Sequence, residues 1–207
     1  MPPTANMKPT ALVTGASSGI GEALAGRFAA AGHDLVLVAR SADKLKALAA
    51  ALSARHGIRV RVEPADLAQP GAAEGLAARL KRARVPVDVL VNNAGVLAQG
   101  RFAAMRAASH QQMIDLNISG LTALLSAFVP AMVARGSGRV LNVASIASFQ
   151  PVPTLATYAA TKAYVLSLTE SLSEELRGSG VSMTALCPGF TATGMLVGTP
   201  LYMAPEQ

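Results

Sequence analysis

The sequence predicts an α/β fold, a doubly wound parallel sheet of about six strands with helices on both faces. Short apolar runs rich in valine and leucine alternate with longer amphipathic segments, which is the order of repeated βαβ units. Hydrophobic residues make up 51% of the chain and charged residues 14%, which suits strands buried on both faces. Glycine follows four predicted helix ends, where a left-handed cap favours it.

The individual elements follow from run length and periodicity. Six short apolar runs are predicted strands: 11–14, 34–39, 59–63, 88–92, 138–144 and 182–186. Five longer segments are predicted helices: 19–31, 42–56, 71–84, 109–134 and 154–177. Ligands bind such sheets beyond the carboxyl ends of the strands, so we expect the functional residues there.

Length and composition limit the class of protein. We expect one domain over residues 1–207, which is long enough to bury a core. The longest apolar candidate, 121–133, is interrupted by Ser126 and Pro130 and is too short to cross a bilayer. Residues 1–9 carry no signal pattern, and Cys187 is the single cysteine, which agrees with a reducing compartment. We therefore expect a cytoplasmic protein that does not associate with a membrane.

The net charge of +6 raises the question of a nucleic-acid partner. The basic residues are scattered except in 79–84, at the end of a predicted helix, where cations complement the helix dipole. No aromatic residues interleave with that cluster to stack on bases. We expect no nucleic-acid partner, and the three dispersed histidines indicate no metal site.

A glycine-rich turn joins the first predicted strand to the first helix. Its glycines are Gly15, Gly19 and Gly21. Such a turn directs backbone N–H groups and the positive helix end at a phosphate. We expect Gly15 to permit the tight turn, Gly19 to let a pyrophosphate approach, and Gly21 to allow close packing of helix and strand.

The end of the second strand indicates which dinucleotide binds. NAD-binding sheets of this type carry an acidic residue there, which bonds the ribose hydroxyls. Here Ala39 is neutral and Arg40 follows, with Lys44 nearby. A guanidinium suits a 2′-phosphate, so the position predicts NADP(H).

Four polar residues form a candidate catalytic group. Tyr158 and Lys162 are four residues apart in a predicted helix and share one face, Ser145 follows the fifth strand, and Asn117 lies in the preceding helix. A nearby ammonium favours the phenolate, so we expect Lys162 to lower the pKa of Tyr158 toward neutrality. Ser145 can hydrogen-bond a carbonyl oxygen and stabilise the charge that develops on it.

These motifs resemble the short-chain dehydrogenase/reductase family, in its single-domain branch, from about Thr10 to Met195. The resemblance implies a Rossmann-type NAD(P)-binding domain in which Asp66 and Leu67 hold the adenine. It assigns cofactor contacts to Gly15, Ser17, Ser18, Gly19, Ile20, Arg40, Asp66, Leu67, Asn93, Ala94, Gly95, Tyr158, Lys162, Pro188, Gly189 and Thr191.

The same resemblance implies catalytic roles for Asn117, Ser145, Tyr158 and Lys162. Lys162 would also bond the nicotinamide ribose, and Asn117 would hold a water that relays protons to Lys162. The implied activity is hydride transfer between NADP(H) and a small carbonyl or alcohol substrate. The implied assembly is a homodimer through the helices that carry Asn117 and Tyr158.

The C-terminus departs from the family pattern. Typical members continue beyond the position of Gln207 through a substrate-covering helix pair, another helix and a seventh strand. We therefore expect the lid and the last strand to be missing, which supports cofactor binding more strongly than turnover. The alternatives are a non-catalytic NADP(H)-binding or scaffold protein and an extended-branch epimerase or dehydratase. The spacing of the glycines and the absence of a large C-terminal domain weigh against the extended branch.

Overall fold

The computed structural model describes residues 8–189. Its strands are β1 (Thr10–Thr14), β2 (Asp34–Ala39), β3 (Val60–Pro64), β4 (Val89–Asn92), β5 (Gly138–Val143) and β6 (Val181–Leu186). Its helices are α1 (Gly19–Ala30), α2 (Ala42–His56), α3 (Ala72–Arg82), α4 (Ala107–Ile114), α5 (Leu121–Ala134) and α6 (Ala156–Glu175). Thr191 and the start of the expected covering segment lie outside the described residues.

The six strands form one parallel sheet in the order β3-β2-β1-β4-β5-β6. The chain thus starts in the middle, builds outward to β3, and returns across β1 to build the other half. The predicted doubly wound parallel sheet is confirmed. The point at which the strand order reverses lies between β1 and β4, where such folds open a ligand crevice.

Helices cover both faces of the sheet, and the side chains of β1 alternate between the apolar clusters on the two faces. Ala11 and Val13 belong to one apolar cluster, and Leu12 between them belongs to the other. All three are fully buried, so successive side chains of the strand point into opposite layers. This is why the strand reads as a continuous apolar run in the sequence.

The segment between β4 and β5 was predicted as one helix but has a π-helical turn, Asp115–Gly120, between α4 and α5. The three pieces form a continuous stretch, Ala107–Ala134, that is long and apolar enough to cross a membrane by length and composition. One such helix is weak evidence for a span, since core helices of sheet proteins pass the same test. Leu121, Leu124 and Leu125 are buried in the larger apolar cluster, against the sheet.

Element boundaries agree closely with the sequence predictions. Strand 34–39 and helix 42–56 match their observed bounds, and the ends of the other strands differ by a residue or so. The four glycines expected to end helices all have positive φ: Gly32, Gly57, Gly136 and Gly178. Helix ends were readable because this backbone conformation strongly favours glycine.

Candidate active site

A cavity of about 720 Å³ is lined by residues that follow the carboxyl ends of all six strands. The predicted site residues that line it are Gly15, Ser17, Ser18, Gly19, Ile20, Arg40, Asp66, Leu67, Asn93, Ala94, Gly95, Ser145, Tyr158, Lys162, Pro188 and Gly189. Asn117 is not among its lining residues. The fold therefore brings together residues that are as much as 174 positions apart in sequence, from Gly15 to Gly189.

The glycine turn requires glycine at the positions predicted. Gly15 has a φ of +65° and Gly19 a φ of +59°, in the left-handed region. A Cβ added to Gly21 would lie 2.3 Å from the carbonyl oxygen of Gly15 and 2.4 Å from Nδ2 of Asn93. The first turn of α1 therefore packs directly on the loop that follows β1 and on Asn93, whereas the sequence predicted that Gly21 allows close packing of helix and strand.

A threonine that the sequence analysis missed fixes the turn to its neighbour. Thr14 is buried at the end of β1, and its Oγ1 donates to the carbonyl oxygen of Val91 at 3.1 Å. The same oxygen accepts hydrogen bonds from the N–H groups of Asn93 and Ala94, both at 3.0 Å. Nδ2 of Asn93 in turn donates to the Thr14 carbonyl at 2.9 Å. This role could have been inferred from the sequence, because Thr14 is a polar residue at the end of the apolar run that predicts β1.

Cations concentrate where β2 ends. Arg40 is exposed and lines the cavity together with Ser41 and Lys44. The acid on this side is Asp66, after β3, whose carboxylate accepts a hydrogen bond from the N–H of Ala68 at 3.2 Å. Two cations against one hydrogen-bonded acid make this end suited to an anionic group.

Tyr158 lies one turn before Lys162 in α6, and Nζ of Lys162 is 5.8 Å from the centre of the Tyr158 ring. Ser145 follows β5, where its Oγ accepts a hydrogen bond from the N–H of Ala147 at 3.1 Å. Burial raises the pKa of Tyr158, and the Ser145 hydroxyl acts in the opposite direction and lowers it. The three side chains meet at the β5 side of the cavity.

Lys162 was expected to lower the pKa of Tyr158, but its surroundings do not favour this effect. Its side chain is 6% exposed, and Nζ donates to the carbonyl oxygen of Val143 at 2.7 Å. Burial lowers the pKa of Lys162 to about 8, although nearby Cys187 acts to raise it. In the protein by itself, burial outweighs the Ser145 hydroxyl and raises the pKa of Tyr158, so the prediction that Lys162 lowers it is wrong for this state.

Asn117 sits beneath the cavity wall, in the π-helical turn. Its Oδ1 accepts from the N–H of Val96 at 2.9 Å, and its Nδ2 donates to the Val96 carbonyl and to Oγ1 of Thr161. A Cβ added to Gly95 would lie 3.2 Å from Oδ1 of Asn117 and 3.6 Å from Nζ of Lys162. The Asn117 side chain therefore holds the loop after β4 against α6, and its polar atoms already have protein partners.

Several lining residues were not singled out from the sequence. They are mostly apolar and come from the loops after β4 and β5: Val96, Leu97, Ile146, Ala147, Gln150, Val152 and Leu155. Only proximity to the strand ends could have indicated them, because their residue types are also those of ordinary core packing. Pro188 lies against the loop after β5, since its carbonyl oxygen accepts a hydrogen bond from the N–H of Ile146 at 3.0 Å.

A sequence model described as short chain dehydrogenase matches residues 9–200. The chain belongs to the short-chain dehydrogenase family. The resemblance inferred from the glycine spacing and the Tyr158–Lys162 pair is confirmed, and the chain is placed among oxidoreductases.

Curated members of the short-chain dehydrogenase family resemble most of the chain. Oxidoreductase UcpA of Salmonella typhimurium is 38% identical over 187 residues, which cover 90% of this chain and 70% of that protein. An uncharacterized oxidoreductase of Staphylococcus epidermidis is 35% identical over 189 residues, which cover 91% of this chain and 80% of that protein.

Solved structures of short-chain dehydrogenases agree with the fold. A short-chain dehydrogenase from Sphingobium yanoikuyae, in complex with NADPH, is 42% identical with a TM-score of 0.85 and covers 90% of this chain and 73% of its own. The bulky-bulky ketone specific alcohol dehydrogenase from Comamonas testosteroni is 37% identical with a TM-score of 0.85 and covers 94% of this chain and 77% of its own.

Proposed function

We propose that this chain catalyses NADP(H)-dependent hydride transfer between the nicotinamide and a carbonyl or secondary alcohol, with Tyr158 as the general acid and base. One observation carries the proposal: a single cavity joins the glycine turn, Arg40 and the group formed by Ser145, Tyr158 and Lys162. Solved relatives at 42% and 36% identity are described as complexes with NADPH and NADP, which supports the choice of cofactor.

The residues present fit such a cofactor. The left-handed Gly15 and Gly19 leave the backbone of the turn open to a phosphate at the start of α1. Arg40 offers a bidentate partner to a 2′-phosphate, at the end of the cavity where cations outnumber acids. NADP(H), when bound, supplies the hydride in reduction and accepts it in oxidation.

The remaining cofactor contacts are proposed by position in the same cavity. They are assigned in chain order to Ser17, Ser18, Ile20, Asp66, Leu67, Asn93, Ala94, Gly95, Pro188 and Gly189. Thr191 keeps its assignment from the sequence. Thr14 acts on the cofactor through Asn93 and Ala94, because its hydroxyl holds both backbone N–H groups.

In reduction, the Tyr158 phenol donates its proton to the carbonyl oxygen, and in oxidation the phenolate takes it back. Because burial raises the pKa of Tyr158, the phenol carries its proton at neutral pH and is ready to act as an acid. The Ser145 hydroxyl donates to the same oxygen and stabilises the developing charge. Lys162 supplies a cation 5.8 Å from the centre of the Tyr158 ring, and Asn117 positions Lys162 through its hydrogen bond to the adjacent Thr161 in α6.

Two measurements test this function. Fluorescence titration of the purified chain with NADPH and with NADH should show tighter binding of NADPH, which Arg40→Asp should reduce to the level of NADH. Turnover of a panel of aldehydes and ketones with NADPH should follow. Tyr158→Phe keeps the ring and removes the proton, so kcat should fall by about 10²–10⁴-fold while NADPH binding remains.

Tyr164 offers a matched control for this substitution. It lies on the same helix, but its hydroxyl faces Oγ1 of Thr122 at 2.9 Å and it is outside the cavity lining. Tyr164→Phe should leave kcat within about twofold of the wild-type value. Full activity of Tyr158→Phe would refute the mechanism, and NADPH binding without any turnover would support a non-catalytic cofactor-binding protein instead.

The chain is expected to act in the cytoplasm, on a small carbonyl or alcohol substrate. It is also expected to assemble as a homodimer through α4–α5 and α6, the helices that adjoin Asn117 and carry Tyr158.

A further inference from the structure

Charge is divided unevenly between the two halves of the cavity. The lining residues that follow β2 and β3 include the charged side chains Arg40, Lys44 and Asp66. Among the described residues that line the other half, after β4, β5 and β6, the charged side chain is Lys162. Its ammonium is buried and donates to the Val143 carbonyl, so it is not directed at a substrate.

Most of the other side chains that line this half of the cavity are apolar. Val96 and Leu97 contribute from the loop after β4, and Ile146, Val152 and Leu155 contribute from the loop between β5 and α6. Ile146 remains 38% exposed, so an apolar surface is available beside Ser145 and Tyr158. The cations of the segment that joins β4 to α4 are Arg101 and Arg106, and neither lines the cavity.

The two loops that supply these apolar residues are tied together. The N–H of Gly100, in the loop after β4, donates to the carbonyl of Thr154, in the loop after β5, at 2.9 Å. Within the second loop, the N–H of Leu155 donates to the Val152 carbonyl at 3.0 Å. Thr154 has a φ of +66°, a left-handed conformation that β-branched residues rarely adopt. A strained residue held by a cross-loop hydrogen bond indicates that this wall is preformed.

We propose that the substrate is a neutral ketone or secondary alcohol with an apolar body, and that carboxylates, phosphate esters and polyhydroxylated sugars are poor substrates. This inference rests on the proposed function. An anion placed against Val96, Leu97 and Leu155 loses its hydration and gains no cationic partner. A sugar would leave hydroxyls buried without hydrogen-bond partners against the same side chains, which disfavours its binding.

Gln150 is the residue through which this selectivity can be altered. It is exposed and lines the cavity on the same loop as Val152. Its amide is uncharged, so Gln150→Arg adds one cation to the apolar half without changing the core.

The test compares a neutral 2-oxo ester with its acid, which carries the same benzoylformyl group and a negative charge, and with a polyhydroxylated sugar. Ethyl benzoylformate, benzoylformate and the ketose fructose are reduced with NADPH at pH 7 by the full chain, and kcat/KM is measured for each. We expect kcat/KM for the ester to exceed that for either of the others by at least about 100-fold. Gln150→Arg should raise kcat/KM for benzoylformate by at least about 10-fold, because a guanidinium pairs with a carboxylate.

Gln111→Arg is the matched control, since Gln111 is exposed on α4 and lies outside the cavity lining. It adds the same charge and should leave the ester-to-acid ratio unchanged. NADPH titration of both variants shows whether each is folded. If Gln150→Arg is not folded, the ratio of kcat/KM for the ester to kcat/KM for benzoylformate in the wild type tests the inference by itself. Preference for benzoylformate or fructose overturns this inference and leaves the proposed function standing. No reduction of any compound overturns both.

Discussion

Burial shifts the pKa values of Tyr158 and Lys162 in opposite directions, and both shifts favour the uncharged form. Burial raises the pKa of the Tyr158 phenol, and it lowers the pKa of the Lys162 ammonium to about 8. The spacing of four residues correctly placed the two side chains on one face of a helix. It gave no information on their burial, which is the largest cause of both pKa shifts.

The lowered pKa of Lys162 predicts how stability depends on pH. Between about pH 8 and the model-compound value of 10.5, unfolded Lys162 binds a proton that the folded form does not. The free energy of unfolding should therefore rise with pH across this window, by up to about 3 kcal/mol from this group. Below pH 8 both states are protonated and the contribution no longer changes.

Urea unfolding at pH 8 and at pH 10 measures this effect. Lys162→Met should flatten the rise, whereas Lys81→Met, at an exposed position of α3, should not. An unchanged slope in Lys162→Met would show that the ammonium is better solvated than its 6% exposure indicates.

At the scale of the element, the first turn of α1 depends on one glycine. A Cβ at Gly21 would lie 2.3 Å from the Gly15 carbonyl oxygen, so Gly21→Ala must move the helix away from the turn. We expect Gly21→Ala to destabilise the fold by about 1–3 kcal/mol and to weaken NADPH binding at least about 10-fold.

Gly26 on the same helix supplies the control for that substitution. A Cβ at Gly26 would have no atom within 4 Å, so Gly26→Ala should bind NADPH normally and gain about 0.5–1 kcal/mol from better helix propensity. Thermal unfolding and NADPH titration measure both variants. Wild-type affinity in Gly21→Ala would show that the contact is not needed for the cofactor site.

The π-helical turn at Asp115–Gly120 interrupts a segment that the sequence predicted as one helix. It lies where the helix contacts two other parts of the cavity wall: Asn117 bonds Val96, and a Cβ at Gly120 would lie 2.4 Å from the Leu67 carbonyl oxygen. The turn replaces i→i+4 by i→i+5 hydrogen bonding, a change that is frequent at functional sites. The apolar periodicity of the sequence does not predict this change in hydrogen bonding.

At the scale of the whole molecule, sheet order separates the two chemistries of the cavity. β2 and β3 lie on one side of β1, while β4, β5 and β6 lie on the other. The cationic residues follow the first group and the apolar residues near Tyr158 follow the second. A cofactor with phosphates at one end and a reactive ring at the other matches this division.

The expected homodimer is also a property of the whole molecule. Tyr164 is 36% exposed on α6, and its hydroxyl contacts Thr122 of α5, so it lies on the outer face of both helices. We expect light scattering after size exclusion to give the dimer mass for the wild type. Tyr164→Glu should weaken the dimer at least about 10-fold, because it buries a carboxylate in the interface.

Tyr164→Phe, which keeps the apolar ring, should remain dimeric. A monomeric wild type, or a Tyr164→Glu variant that stays fully dimeric at low concentration, would contradict assembly through these helices.

The sequence by itself determined the βαβ order, the glycine turn and the candidate residues Arg40, Ser145, Tyr158 and Lys162. These rest on local rules: apolar periodicity, left-handed backbone and helical spacing act over a few residues. Tertiary structure alone decided the Thr14 contacts, the π-helical turn at Asn117, the apolar surroundings of Tyr158 and the direction of its pKa shift. Each depends on groups brought together from distant strands, and burial and long-range contacts exist only once the chain is packed.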